Sequence, residues 1–187
     1  HGETLQGEPF HESLGPTWAE LKPRLHQLAA DLGEPLRALD ELSPAEGDRL
    51  LGLSGEGLLQ AQRRCCSVPF VAPSPDLRPR LRQLAADRGL TIVQGNRMAH
   101  LLGAGVSKGR ALTVLQQRLE AERVRVLGLG DSPNDLPLLE AADVAVVVPG
   151  VNGAHPALRD GLESGRFELA PFPHARGWAE AVQRITL

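Results

Sequence analysis

Two short apolar runs, residues 124–129 (V-R-V-L-G-L) and 144–148 (V-A-V-V-V), flank a polar cluster and a short helical pattern. β-Branched runs of this length on either side of a helix predict a parallel β-α-β unit buried on both faces. Upstream, Leu21, Leu25, Leu28 and Leu32 recur at helical spacing and predict a helix over 18–32, closed by Gly33 and Pro35. Pro23 inside that span marks its first turn or a kink. The stretch 23–33 (P-R-L-H-Q-L-A-A-D-L-G) returns at 79–89 (P-R-L-R-Q-L-A-A-D-R-G), matching at 9 of 11 positions. Each copy reads as a helix followed by a short extended stretch, 36–39 and 90–94. The pattern thus predicts a compact module over about 8–95, with two equivalent helices on one face of a small sheet.

Between the copies, Ser43-Pro44-Ala45-Glu46 has the composition of a helix start, and Ser54 opens a second short helix. Residues 65–72 read as a strand that Pro69 confines to an edge. Beyond the second copy come a strand at 97–102, a helix from Arg110 to about residue 122, a strand at 166–170 and a terminal helix at 175–185. Residues 1–7 are polar and Gly-rich, a linker or frayed end, and 8–14 are weakly strand-like.

Composition narrows the function class. The 187 residues are 42% hydrophobic and 23% charged, enough for one substantial core or two small ones. A formal net charge of −3 supplies no basic field for nucleic acid. No apolar run approaches a membrane span and no signal-peptide pattern stands at the start. Cys65 and Cys66 are neighbours, a poor geometry for a disulfide and too few for a metal site. These features favour a soluble cytoplasmic protein with neither nucleic acid nor membrane as partner.

The chemistry collects in Gly130-Asp131-Ser132-Pro133-Asn134-Asp135, just past the first apolar run. In open α/β sheets, ligands bind outside the carboxyl ends of the strands. Two carboxylates there, Asp131 and Asp135, make a hard oxygen site suited to Mg²⁺. Asn134 adds an amide for a substrate oxygen, or else the cluster merely caps a helix and shapes a turn. Lys108, at the head of the helix from 110, is electrostatically misplaced unless it faces an anion or a carboxylate. The loop after the second run carries Asn152 and His155, which can border the same site.

The spacing G-D-S-P-N-D-L-P-L-L between two buried strands resembles the fourth motif of the haloacid dehalogenase (HAD) superfamily, mostly Mg²⁺-dependent phosphatases. Val106-Ser107-Lys108-Gly109 resembles its third motif. Residues 14–18 (L-G-P-T-W) and the stretch from Gly95-Asn96-Arg97 through His100 to Gly103 resemble the cap boundaries of the mannosyl-3-phosphoglycerate phosphatase branch. The resemblance implies an α/β protein: the C-terminal half of a HAD Rossmann-like parallel-sheet core over 96–187, and an α+β cap of C2B type over 1–95. It implies hydrolysis of a phosphorylated sugar, a mannosyl-3-phosphoglycerate or related glycosyl-phosphoglycerate, through an aspartyl-phosphate. It makes Lys108, Asn134 and Asp135 catalytic, Asp131 and Asp135 ligands of Mg²⁺, and Arg97, His100 and Ser107 substrate-binding. Two departures stand out: Ser107 occupies a position that is usually Asp, and Cys65-Cys66-Ser67-Val68 replaces a charged and aromatic patch. No Asp-x-Asp occurs in the chain, so the nucleophile-bearing segment is expected to precede His1, and this chain alone is expected to be inactive. A phosphosugar mutase, or a binding module without a nucleophile, are the other readings of the same motifs.

Overall fold

The computed structural model describes residues 12–95, 97–119 and 124–186. The expectations for residues 1–11, for Asn96 and for a helix end near residue 122 fall outside them. Helix α1 (Trp18–Leu32) follows the leucine spacing, and Leu21, Leu25, Leu28 and Leu32 are all buried. It runs unbroken through Pro23. That proline and Ala19, whose carbonyl it deprives of a helical partner, both lie on the exposed side, where water replaces the missing bond. Helix α2 (Pro44–Leu51) starts on a reciprocal cap. Ser43 Oγ accepts from the Glu46 amide at 3.3 Å, and the Glu46 carboxylate accepts from the Ser43 amide at 2.9 Å. Helix α3 (Gly55–Gln62) follows, and Leu39, Leu42, Leu58 and Met98 form a small core beneath these two helices.

Strand β1 (Val68–Phe70), helix α4 (Arg78–Ala86), strand β2 (Leu90–Gln94) and strand β3 (Ala99–Gly103) complete the first half. The strands form an antiparallel sheet in the order β1-β3-β2. Pro69 lies in β1, at one edge, where its missing N–H breaks no ladder. The two sequence repeats are two helices on one face of this sheet: Leu25 of α1 and Leu81 of α4, equivalent positions, are buried in one cluster with Phe70 and Leu101. Both copies end on a left-handed glycine, Gly33 (φ 79°) and Gly89 (φ 66°), a conformation other residues adopt at a cost. The equivalence stops there. The second copy runs into β2. The first makes only a bridge from Ala38 to Phe70, then a 3-10 turn at Leu39–Glu41, instead of the expected extended stretch at 36–39. β3 was expected in the second half of the chain, yet it is the central strand here, so the first sheet continues past residue 95.

Helix α5 (Lys108–Arg118) leads into the second half, with β4 (Leu127–Gly130), helix α6 (Leu136–Ala141), β5 (Val144–Val147), a short helix α7 (Arg159–Glu163), β6 (Glu168–Leu169) and α8 (His174–Thr186). The strands are parallel in the order β4-β5-β6, as the two apolar runs predict. β4 is shorter than its run, because residues 124–126 lie outside the ladder. Alternation splits β5 between two cores. Ala145 and Val147 pack with Leu139 of α6, whereas Val146 packs with Ala170 and Ala181 of α8. Helices thus cover both faces of this α/β layer, and the carboxyl ends of β4 and β5 open on one side. No described helix is long and apolar enough to cross a membrane.

Candidate active site

The turn after β4 is built around one buried carboxylate. Asp135 is 5% exposed. Its Oδ2 accepts from the amides of Asp131 (3.1 Å) and Ser132 (3.3 Å) and from the Ser132 hydroxyl (3.1 Å), while Oδ1 accepts from Lys108 Nζ. Burial pushes this carboxyl's pKa up, but the bonds from Lys108, the Asp131 amide and Ser132 together outweigh it and hold it below the usual carboxylate range. The turn needs Gly130, because a Cβ there would collide with the Asp135 side chain.

Lys108 is the first residue of α5, capped by Ser107, whose Oγ accepts from the Arg110 amide at 3.1 Å. Its neighbour Gly109 lies directly against the Pro137 carbonyl of α6, a contact that no Cβ permits. This close approach brings the lysine, unfavourable at a helix start, onto Asp135. The lysine side chain is nevertheless 52% exposed, and it borders two clefts.

The first cleft, about 370 Å³, is lined by Lys108, Asp131 and Asp135, with Leu129, His174 and Trp178. Among the described residues the Asp131 carboxylate has no hydrogen-bond or ion-pair partner, so a free hard oxygen faces the lysine's cleft. The second cleft, about 390 Å³, lies between the two halves. Lys108, Asn134 and Ser107 line one wall and His100, Ser67 and Arg64 the other. Strand alternation explains the far wall: Ala99 and Leu101 of β3 face the leucine core, so His100 and Leu102 face the cleft. Burial, and secondarily the charge of Arg64, lower the His100 imidazole to about 4, so it is neutral at neutral pH. Asn134 is fixed by its side-chain carbonyl, which accepts from the Ser132 hydroxyl at 2.5 Å and leaves the amide NH₂ available.

The expected site residues therefore divide. Lys108 and Asp135 meet directly, Asp131 shares their cleft, and Asn134, Ser107 and His100 share the neighbouring one. Arg97 donates to the Leu51 carbonyl at the end of α2 and lines a third cleft with His155 and with Pro133 of the acidic turn. Asn152 is exposed in its loop and lines none of these clefts. As for a divalent ion, the described residues hold no group of three or more acidic, His or Cys side chains. The donor that fits Mg²⁺ is Asp131, since that ion binds through one or two carboxylates, waters and phosphate. Asp135 Oδ2 already accepts three donors, which suits a group that orients Lys108. Sequence reasoning missed Ser132, the buried hydroxyl that bonds both Asn134 and Asp135, and Arg64. Ser132 lay inside the motif and was legible there. Arg64 carried no periodic or motif signal.

Residues 75–155 match the model of the haloacid dehalogenase-like hydrolase family. The chain is 29% identical over 153 residues to a glucosyl-3-phosphoglycerate/mannosyl-3-phosphoglycerate phosphatase of Persephonella marina, covering 80% of this chain. It covers 55% of that relative, and so spans little more than half the length of the curated protein it matches. Among solved structures, a haloacid dehalogenase-like hydrolase from Bacteroides thetaiotaomicron aligns with TM-score 0.59 at 19% identity, over 91% of this chain and 68% of the other. The sucrose-phosphatase of Synechocystis, solved with sucrose and phosphate, aligns with TM-score 0.58 at 21% identity, over 90% and 66% of the two chains. At these identities the structural likeness establishes the fold.

Proposed function

We propose that this chain, which matches the haloacid dehalogenase-like hydrolase family over residues 75–155, carries the phosphate-holding part of a phosphomonoester hydrolase acting on a phosphorylated sugar. The observation that carries the reading is the Lys108–Asp135 pair beside an unpartnered Asp131 at the carboxyl end of a parallel strand. The glycosyl-phosphoglycerate named for the Persephonella relative is the proposed substrate type.

In this reading Asp131 holds Mg²⁺, which supplies charge neutralisation at the phosphoryl group when bound. Asp135 holds the Lys108 side chain in place through their ion pair, at the border of both clefts. Lys108 and the Asn134 amide hold the non-bridging phosphate oxygens, where negative charge is spread during phosphoryl transfer. Ser132 fixes the Asn134 side chain, so the amide group is oriented before the phosphate arrives. The sheet that ends at Gly103 is the proposed lid, and its His100 face covers the sugar side of the second cleft and limits water there. The division between lid and base is accordingly placed after Gly103. The 187 residues contain no Asp-x-Asp pair, and the proposal assigns them the holding of phosphate, without the attacking group.

The test is phosphate release by the intact protein with Mg²⁺ on a panel of glycosyl-phosphoglycerates and sugar phosphates. We expect turnover, and at least about a 100-fold loss in Asp131→Ala, the scale of losing a main electrostatic contact to the reacting group. Near-normal turnover by that variant would rule out the metal assignment. Transfer of phosphate back to the sugar without release would mark a mutase instead, and binding without turnover a non-catalytic module.

A further inference from the structure

The second cleft has two cationic ends and no acidic side chain in its lining. At one end, Lys108 is paired with Asp135. At the other end is Arg64, just after α3, and its situation differs. Its side chain makes one hydrogen bond among the described residues, from Nε to the Ala61 carbonyl at 3.3 Å, and no described carboxylate forms an ion pair with it. The neighbouring Arg63, by contrast, reaches Glu56 at 3.9 Å. The surroundings of Arg64 in the cleft are apolar or neutral: Val93, Leu102 and Val106 form much of the wall, and Ser67 adds a hydroxyl. His100, close enough to feel the Arg64 charge, is itself uncharged at neutral pH because of burial first and that charge second. Among the described residues the lid side of the cleft thus has one positive group without an ion-pair partner, a planar fork in the same cleft as the phosphate-holding lysine.

We propose that Arg64 is a specificity-determining residue that binds a carboxylate on the substrate's leaving group, so that this site selects phosphate esters carrying a second, carboxylate, charge over those that carry phosphate alone. The proposal rests on the phosphatase reading and deepens it by stating what the lid recognises. A guanidinium suits the task because its paired N–H groups match the two oxygens of a carboxylate. A substrate lacking that carboxylate leaves the cation facing apolar wall and gains nothing from it. Lys108 does not serve both ends, because Asp135 fixes it at the phosphate end.

The test uses two ligands of nearly equal size, 3-phosphoglycerate and glycerol 3-phosphate, which differ by a carboxylate against a hydroxymethyl group. Binding of each to the intact protein in Mg²⁺ is measured by calorimetry for wild type, Arg64→Gln and Arg64→Lys. Wild type is expected to prefer 3-phosphoglycerate by about tenfold or more, the usual scale of a charge-assisted bond. Arg64→Gln is expected to remove that preference, and Arg64→Lys to keep part of it. Equal binding of the two ligands by wild type, or a preference that survives Arg64→Gln, overturns the proposal. The readout is independent of turnover. Loss of hydrolysis with the preference intact and Arg64-dependent counts against the phosphatase reading alone, whereas hydrolysis without an Arg64-dependent preference counts against this inference alone. Arg64 is exposed, so the substitutions do not threaten the core.

Discussion

Asp135 has more hydrogen-bond partners than any other side chain of the turn, and its removal separates structural from chemical roles. Asp135→Ala leaves the Asp131 and Ser132 amides without their acceptor, while the Ser132 hydroxyl keeps Asn134 Oδ1. A loss of about 1–3 kcal/mol in urea denaturation is expected, the cost of leaving buried donors unmet. Asp131→Ala, at an exposed carboxylate with no partner among the described residues, is expected to stay within about 0.5 kcal/mol of wild type while losing at least about 100-fold in activity. His100 gives the pH dependence. Its pKa is lowered to about 4 in the folded state from an ordinary 6.5, so the unfolded chain binds more protons between those values. The folded state therefore carries no penalty from His100 above pH 6.5, and loses stability progressively as pH falls toward 4. On unfolding curves at pH 7 and pH 5, wild type is expected to lose about 1–2 kcal/mol that His100→Gln does not. Equal losses in the two proteins contradict the burial of that imidazole.

At the scale of elements, the site depends on how closely α5 approaches α6. Gly109 permits that approach, and Gly109→Ala places a methyl into the Pro137 carbonyl. The helices must then separate, which costs about 1–3 kcal/mol and moves Lys108 off Asp135. The expected result is a lower melting temperature together with a loss of activity larger than the stability change explains, measured at a temperature where the variant is fully folded. The elements that sequence pattern identified well are those with local causes. The α1 leucines, the Ser43–Glu46 cap, the parallel pair β4 and β5, and the repeated helices each follow from spacing or capping chemistry. What pattern misjudged depended on partners distant in sequence. The stretch 36–39 resembles its counterpart before β2, but only Ala38 finds a strand to bridge, and the chain turns away at Leu39. β3 has the alternation of a strand, and nothing in that alternation tells which sheet it joins. The Lys108–Asp135 pair was the most legible part of the site, because a lysine at a helix start calls for a carboxylate partner.

At the scale of the whole molecule, a helix-backed antiparallel sheet and a three-layer α/β unit both line the second cleft, which shares Lys108 with the first. The α/β unit brings the acidic turn to a strand end, while the antiparallel sheet brings His100, and the segment after α3 brings Arg64, to the second cleft. Neither half has both a phosphate-holding group and a wall for the sugar, so selectivity is expected to follow the lid and turnover the base. The central claim is that the acidic turn and Lys108 exist to hold a phosphoryl group beside a divalent ion. It is tested most directly by a crystal structure of the intact protein with Mg²⁺ and tungstate as a phosphate mimic. The account predicts the metal ion on an Asp131 oxygen and the anion within hydrogen-bond distance of Lys108 Nζ and the Asn134 amide. An anion and ion bound elsewhere, with Asp131 and Lys108 both turned to solvent, would contradict it.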